Sequence, residues 1–103
     1  MFSVTISIFA LADISAICEH IEKRFDNPIA ANLFYEEARL KILSLNEFPE
    51  RFPKVAIDGK NLHRMPVKNF YVYYRVNKIS QTVTIARVLY SGKDINQVAI
   101  ISK

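Results

Sequence analysis

The sequence predicts an α+β fold: an antiparallel helical hairpin packed on a mostly antiparallel four-stranded sheet, in the order β-α-α-β-β-β. Three observations predict it. At the N-terminus, Phe2, Val4, Ile6 and Ile8 alternate with Ser3, Thr5 and Ser7, the period of a half-buried strand. Two stretches of helical periodicity follow, separated by a fresh start signal at Asn27-Pro28. Finally, the stretch from His63 to Asp94 packs aromatics, β-branched residues and cations into two strand-like runs joined by a short polar turn.

Each element has a local reason. Asp13 can cap the first helix, and Ile14, Ile17, Cys18, Ile21 and Phe25 fall at spacings that gather on one helical face. That helix should stop near Asp26. Asn27 caps the second, and Pro28 suits its first position because the missing N–H would be unpaired there anyway. The second helix runs to about Leu45, with Ala31, Phe34, Tyr35, Ala38, Ile42 and Leu45 on one face. So short a link makes the two helices an antiparallel hairpin. Leu33 and Leu40 lie on the opposite face of the second helix, with Leu43 between the two faces. They read either as scattered surface leucines or as a groove for a partner's helix.

Asn46 to Pro53 is a turn-rich connector. Asp58-Gly59 is a tight turn that can close a small hairpin between Val55–Ile57 and Asn61–Leu62. Pro66 restricts its predecessor to extended geometry, so a strand from Leu62 should end at Met65. Phe70–Val76 and Thr82–Tyr90 are the two strongest strands, linked by Asn77–Gln81.

The length of 103 residues suits one domain, 1–103, with a single core. No apolar run approaches the roughly 18 residues that span a bilayer, so no membrane association is expected. The N-terminus lacks a basic leader, and the single Cys18 fits a reducing, cytoplasmic setting. Two His and one Cys at unrelated spacings predict no metal site, and nothing suggests a cofactor. Charge is sharply divided. From Arg51 onward stand Arg51, Lys54, Lys60, Arg64, Lys68, Arg75, Lys78, Arg87, Lys93 and Lys103 against only Asp58 and Asp94, whereas the first fifty residues are net acidic. A basic, aromatic sheet beside an acidic helical half can grip a polyanion with one surface.

The local motifs fall in a telling order. They are A-x-x-D-I-x-x-I (Ala10–Ile17), N-P-x-A-A (Asn27–Ala31), L-x-x-F-P (Leu45–Pro49), R-x-P-V-x-N-F (Arg64–Phe70), Y-R-V (Tyr74–Val76), I-x-R-V-L-Y (Ile85–Tyr90) and G-K-D (Gly92–Asp94). In this order and spacing the chain resembles the RelE/ParE superfamily of toxins from bacterial type II toxin–antitoxin modules. The resemblance implies a small basic toxin that inhibits growth unless a cognate antitoxin protein wraps and silences it. RelE-like members enter the ribosomal A site and cut messenger RNA without a metal; ParE-like members lack that chemistry and poison DNA gyrase.

Cleavage of RNA would need the 2′-OH activated, the phosphate charge neutralised and the leaving oxygen protonated. The resemblance assigns Arg64 as a phosphate contact and puts Lys93 where a catalytic Arg is expected. Two departures from the RelE pattern stand out. Tyr71 follows Phe70 where an Arg is expected, and the C-terminal Tyr would fall at Ala99. Tyr71, Tyr90 or His63 could substitute as acid or base, although a free phenol titrates near about 10. The candidate catalytic residues are therefore Arg64, Lys93, Tyr90 and Arg87. The candidate target or RNA contacts are Lys68, Tyr71 and His63, and Leu33, Leu40 and Leu43 are the antitoxin contacts.

Each candidate has a structural reading beside the functional one. Tyr71, Tyr73 and Tyr74 read as half-buried strand aromatics or as platforms for bases. Arg87 shares parity with Val83, Ile85 and Leu89, so it points to an apolar face unless a bulge intervenes, and a structural ion pair with an acid of the hairpin is an equal reading. His63 reads as a strand-surface residue, Lys54, Lys60, Lys68 and Lys78 as solvated charges, and Cys18 as a core thiol. The incomplete catalytic set and the long helical hairpin lean toward a gyrase poison over a ribosome-dependent endoribonuclease (mRNA interferase). A non-toxic basic nucleic-acid-binding module, or a degenerate toxin retaining only antitoxin binding, is the alternative.

Overall fold

The computed structural model describes residues 1–92. Strand β1 (Ser3–Ile6) leads into helix α1 (Ile8–Phe25) and helix α2 (Pro28–Leu43). Two short 3-10 turns, Ser44–Asn46 and Pro49–Arg51, precede β2 (Lys54–Ile57), β3 (Lys60–Val67), β4 (Phe70–Asn77) and β5 (Thr82–Tyr90). The sheet order is β1-β5-β4-β3-β2, antiparallel throughout except for the parallel β1–β5 pair. The expected α+β architecture is therefore present, with five strands in place of four.

The fifth strand comes from the Asp58-Gly59 turn. Both residues take left-handed φ values, 51° and 76°, which suits the two-residue connection that folds Lys54–Ile57 back on Lys60–His63. The second half of this hairpin and the strand expected from Leu62 are one continuous β3, and it does not stop before Pro66. The Arg64 N–H donates to Pro53 O, away from β4, and Pro66 shares its parity. A proline there forfeits no ladder bond to β4.

The hairpin of helices forms as its caps dictate. The Asn27 side chain accepts the Ala30 N–H at 3.1 Å, and Asp26 takes the left-handed conformation (φ 47°) that ends α1. At the start of α1 the cap is Ser7, whose Oγ accepts the Ala10 N–H at 3.1 Å. Asp13 thus lies inside the helix, contrary to its expected capping role. Ser7 follows the last residue of β1, so the helix starts as soon as the chain leaves the sheet.

The helices cover one face of the sheet. Ala10, Ile14, Phe34, Ala38, Ile42 and Leu45 meet Met65, Val67, Val72, Tyr74, Val83, Ile85 and Val88 in the main core. A smaller cluster on the opposite face joins Ile57, Leu62, Tyr73, Ala86 and Leu89. Below the helices, the connector is tied down by side chains. The Arg51 guanidinium donates to Glu47 O at 2.7 Å and to Ser44 Oγ at 2.8 Å, satisfying groups left open past the end of α2. Tyr74, fully buried, donates its hydroxyl to Pro49 O at 2.6 Å. Among the described residues, no helix is long and apolar enough to cross a membrane, and no three His, Cys, Asp or Glu are grouped to hold a metal.

Burial pushes the Tyr74 phenol up to about 12, against a weaker opposing pull from Arg51. The unfolded chain gives up this proton near pH 10 while the folded chain keeps it, so stability should fall as pH rises from about 10 toward 12. Tyr74→Phe should flatten that alkaline loss. At neutral pH it should cost about 1–2 kcal/mol, by stranding the Pro49 carbonyl, as read from urea unfolding across a pH series.

Candidate functional site

The candidates of the last three strands fall in nearby rows across the sheet. Arg64, Tyr73 and Arg87 pair in one row, Pro66, Tyr71 and Leu89 two rows on, past Met65, Val72 and Val88, and Val67, Phe70 and Tyr90 in the row after that. Closeness of the rows does not put them on one surface. Alternation along β3 and β4 sends Arg64, Tyr71 and Tyr73 to the face away from the helices. There the Arg64 guanidinium lies 4.2 Å from the centroid of the Tyr71 ring, a cation–π stack. It also reaches the Tyr73 hydroxyl. Burial raises the Tyr73 pKa, outweighing the opposing charge of Arg64, so this phenol is held protonated and suits donation better than proton abstraction.

Arg87 goes elsewhere, and a bulge is the reason. Tyr73 pairs with Arg87 but Tyr74 pairs with Ile85, which leaves Ala86 as an extra residue in β5. β1 has ended at Ile6, so this stretch of β5 runs past the end of its parallel partner. The first turns of α1 close the gap. Ser7 Oγ donates to Ala86 O at 3.0 Å. One Asp13 oxygen accepts the Val88 N–H at 2.9 Å and Arg87 Nε at 2.7 Å, and the other accepts Arg87 Nη2 at 2.9 Å. The fork to Asp13 raises the Arg87 pKa further, outweighing partial burial. The ion pair expected as one of two readings of Arg87 is thus formed with Asp13. The sequence signal for it was available: with Ser7 as cap, Asp13 falls beside Ile14 and Ile17 on the inward flank of α1.

His63 is only 4% exposed, which corrects its reading as a surface residue. It sits beneath the connector, its ring stacked 5.1 Å from Tyr74 and its Nδ1 2.8 Å from Phe52 O. A carbonyl only accepts, so Nδ1 carries a proton here. Tyr90 is exposed at the end of β5, with its ring edge-on to Phe70 at 6.0 Å. A Cβ at Gly92 would come within 2.5 Å of that ring, so glycine keeps Tyr90 in its place. Lys68 lies away from Arg64. Its turn residue has φ 52° and its ammonium reaches back to Glu37 of α2 at 3.4 Å. Lys93 lies outside the described residues.

On α2, Leu33, Leu40 and Leu43 are 60%, 59% and 48% exposed. With exposed Ile29 they make an apolar row along the outer side of the helix, flanked by Glu36, Glu37, Arg39 and Lys41. The structure therefore holds two separate surfaces of interest, the Arg64–Tyr71–Tyr73 cluster on the sheet and the leucine row on α2.

Asp13→Ala should destabilise the fold by about 3 kcal/mol, because it removes the carboxylate to which the Arg87 guanidinium and the Val88 N–H both donate. Asp13→Asn can still accept from Val88 and should lose less. Urea unfolding of the two variants measures the difference.

Comparison with known proteins bears on these surfaces. The family described as the ParE toxin of the type II toxin–antitoxin system parDE matches residues 4–95. Among solved structures, a chain of the chromosomal ParDE toxin–antitoxin system from P. aeruginosa superimposes with a TM-score of 0.73 at 17% identity, covering 87% of this chain and 96% of that one. A chain of the archaeal RelE–RelB complex from Pyrococcus horikoshii OT3 gives 0.62 at 19% identity, covering 90% and 98% respectively. At these identities the structural likeness is one of fold. No match was found among curated proteins.

Proposed function

From the premise that the chain belongs to the ParE toxin family of type II toxin–antitoxin systems, we propose that it arrests growth by poisoning DNA gyrase once its cognate antitoxin releases it. Residues 1–103 act as one toxin domain, in the cytoplasm where that target resides. The choice of gyrase over ribosome-bound messenger RNA is carried by the placement of Arg87. A phosphoryl-transfer centre needs cations free to meet developing charge on the phosphate. Arg87 instead spends its fork on Asp13, holding the edge of β5 to α1. His63 is likewise committed to the connector. Arg64 lies on the outer face with its guanidinium stacked on the ring of Tyr71.

The leucine row supports the partner half of the reading. Exposed apolar side chains in register along a helix are a docking surface for another helix. The antitoxin covers Leu33, Leu40 and Leu43 and so keeps the toxin silent.

One observation favours a second reading. The Arg64–Tyr71–Tyr73 cluster offers a guanidinium and a donating phenol side by side, which is a start toward binding a phosphate.

Controlled expression decides between them. The expected result is accumulation of gyrase-linked double-strand breaks with messages intact. Messenger RNA cut at ribosomal A-site codons, and lost in Arg64→Ala, would establish the second reading and overturn the first. Absence of any growth defect would overturn both and leave a chain that only binds its antitoxin. In the same cells, Leu40→Asp should leave toxicity in place while the co-expressed antitoxin no longer rescues growth.

A further inference from the structure

The turn between β4 and β5 carries Ile79, which at 99% is the most exposed of the large apolar residues described. The turn itself is firmly held. Asn77 Oδ1 accepts the Ile79 N–H at 3.0 Å and the Ser80 N–H at 3.1 Å, and Gln81 closes it in the left-handed conformation, φ 53°. With Oδ1 engaged in this way, the Asn77 amide has its NH2 donors left to offer. Behind the turn, two polar rows cross the sheet. Ser3, Thr82 and Asn77 pair in one, and Thr5, Thr84 and Arg75 in the other, roughly 6.6 Å along the strands. Val4, Ile6, Val76, Val83 and Ile85 pack into the main core, so alternation sends all six to the face away from the helices. A shallow hollow on this face is lined by Arg75, Asn77, Lys78, Ile79, Thr82 and Thr84, with no carboxylate among them. Glu50 reaches Lys78 from the connector at 3.2 Å, both side chains being exposed, so the hollow and its surroundings hold two cations against one acid.

We propose that this end of the sheet binds the phosphodiester backbone of duplex DNA, with Ile79 entering the minor groove beside it. The inference goes beyond the gyrase reading, because it gives the toxin a contact with DNA itself. Hydroxyls, an amide, a guanidinium and an ammonium are the groups that hold phosphate oxygens. Arg75 carries five donors and can serve a phosphate alongside another acceptor. The exposed Lys78–Glu50 pair is weak, so a phosphate can take the ammonium from Glu50 at small cost. Ile79 adds what a phosphate site alone lacks. An apolar side chain beside phosphate contacts is what minor-groove proteins press between base steps. The minor groove of A-form RNA is wide and shallow, and it would leave Ile79 without walls.

The experiment is fluorescence anisotropy of a labelled DNA duplex titrated with purified toxin, with a duplex RNA of the same sequence as the comparison. Two phosphate contacts should make the DNA affinity fall roughly tenfold between about 50 and about 200 mM salt. Lys78→Gln should weaken binding roughly threefold at the lower salt and reduce the log–log salt slope by about one. Ile79→Ser should weaken it roughly fivefold with the slope unchanged. Lys54→Gln, on β2 at the opposite edge of the sheet, removes the same charge and should leave both quantities at wild type. No binding of DNA at low salt, an unchanged Lys78→Gln, or an equal loss in Lys54→Gln overturns the site. An unchanged Ile79→Ser, or RNA bound as tightly as DNA, overturns the minor-groove contact. All three positions are exposed, so thermal melts of the variants should overlay wild type. Gyrase is absent from this titration, so its outcome is independent of the expression experiment that tests the gyrase reading.

Discussion

The edge of β5 is the constraint around which this molecule is arranged. A four-residue β1 can pair with only the first part of a nine-residue β5, and the remaining edge must find other partners. The chain solves this within seven residues. Ser7 leaves the sheet and caps α1 while donating to Ala86 O, and Asp13, under two turns later, accepts from Val88 and Arg87. These contacts fix the line that α1 takes along the sheet. α1 in turn fixes α2 through the tight Asp26-Asn27 link. The outer side of α2, with its leucines, therefore faces where it does because an acid and a hydroxyl complete the edge of a strand.

The same contacts divide the cations by role. Arg87 and Arg51 are consumed by the fold, the first at the strand edge and the second at the end of the helical hairpin. Arg64 remains on the outer face of the sheet beside two tyrosines, and Lys68 and Lys41 attend α2. A basic half-sequence does not become one basic surface. It becomes several small sites with different surroundings, and the Arg64 cluster keeps the aromatic and cationic character that the sequence suggested for the sheet.

What the sequence disclosed was what local chemistry decides. Asn27-Pro28, the alternation of β1, and the hairpin strands of β4 and β5 all lie where expected, because caps, periods and turns act over a few residues. The misreadings came from contacts that span the chain. Asp13 looked like a cap because helical spacing shows only that it lies beside Ile14 and Ile17, while the strand that needs its carboxylate comes seventy-four residues later. His63 looked superficial because its cover is the connector, which carries no periodic signal. Pro66 looked like a strand end because the edge it faces is decided by where β2 begins, opposite His63. Among site residues, the outward leucines of α2 were legible from helical spacing. The destination of Lys68 was not, since a left-handed turn residue redirects it toward Glu37.

The parallel pairing of β1 with β5 also orders events in time. Ser3–Ile6 is made first, and its partner Thr82–Ile85 only when most of the chain has been synthesised. Helices and hairpins can form early from near neighbours, but the β1–β5 pairing must wait for loop closure across nearly the whole molecule. Until then Val83, Ile85 and Val88 have not reached the core they complete, and α1 has no strand edge to clasp. Closure of the main core and of the α1 clasp thus waits on one pairing between distant parts of the sequence.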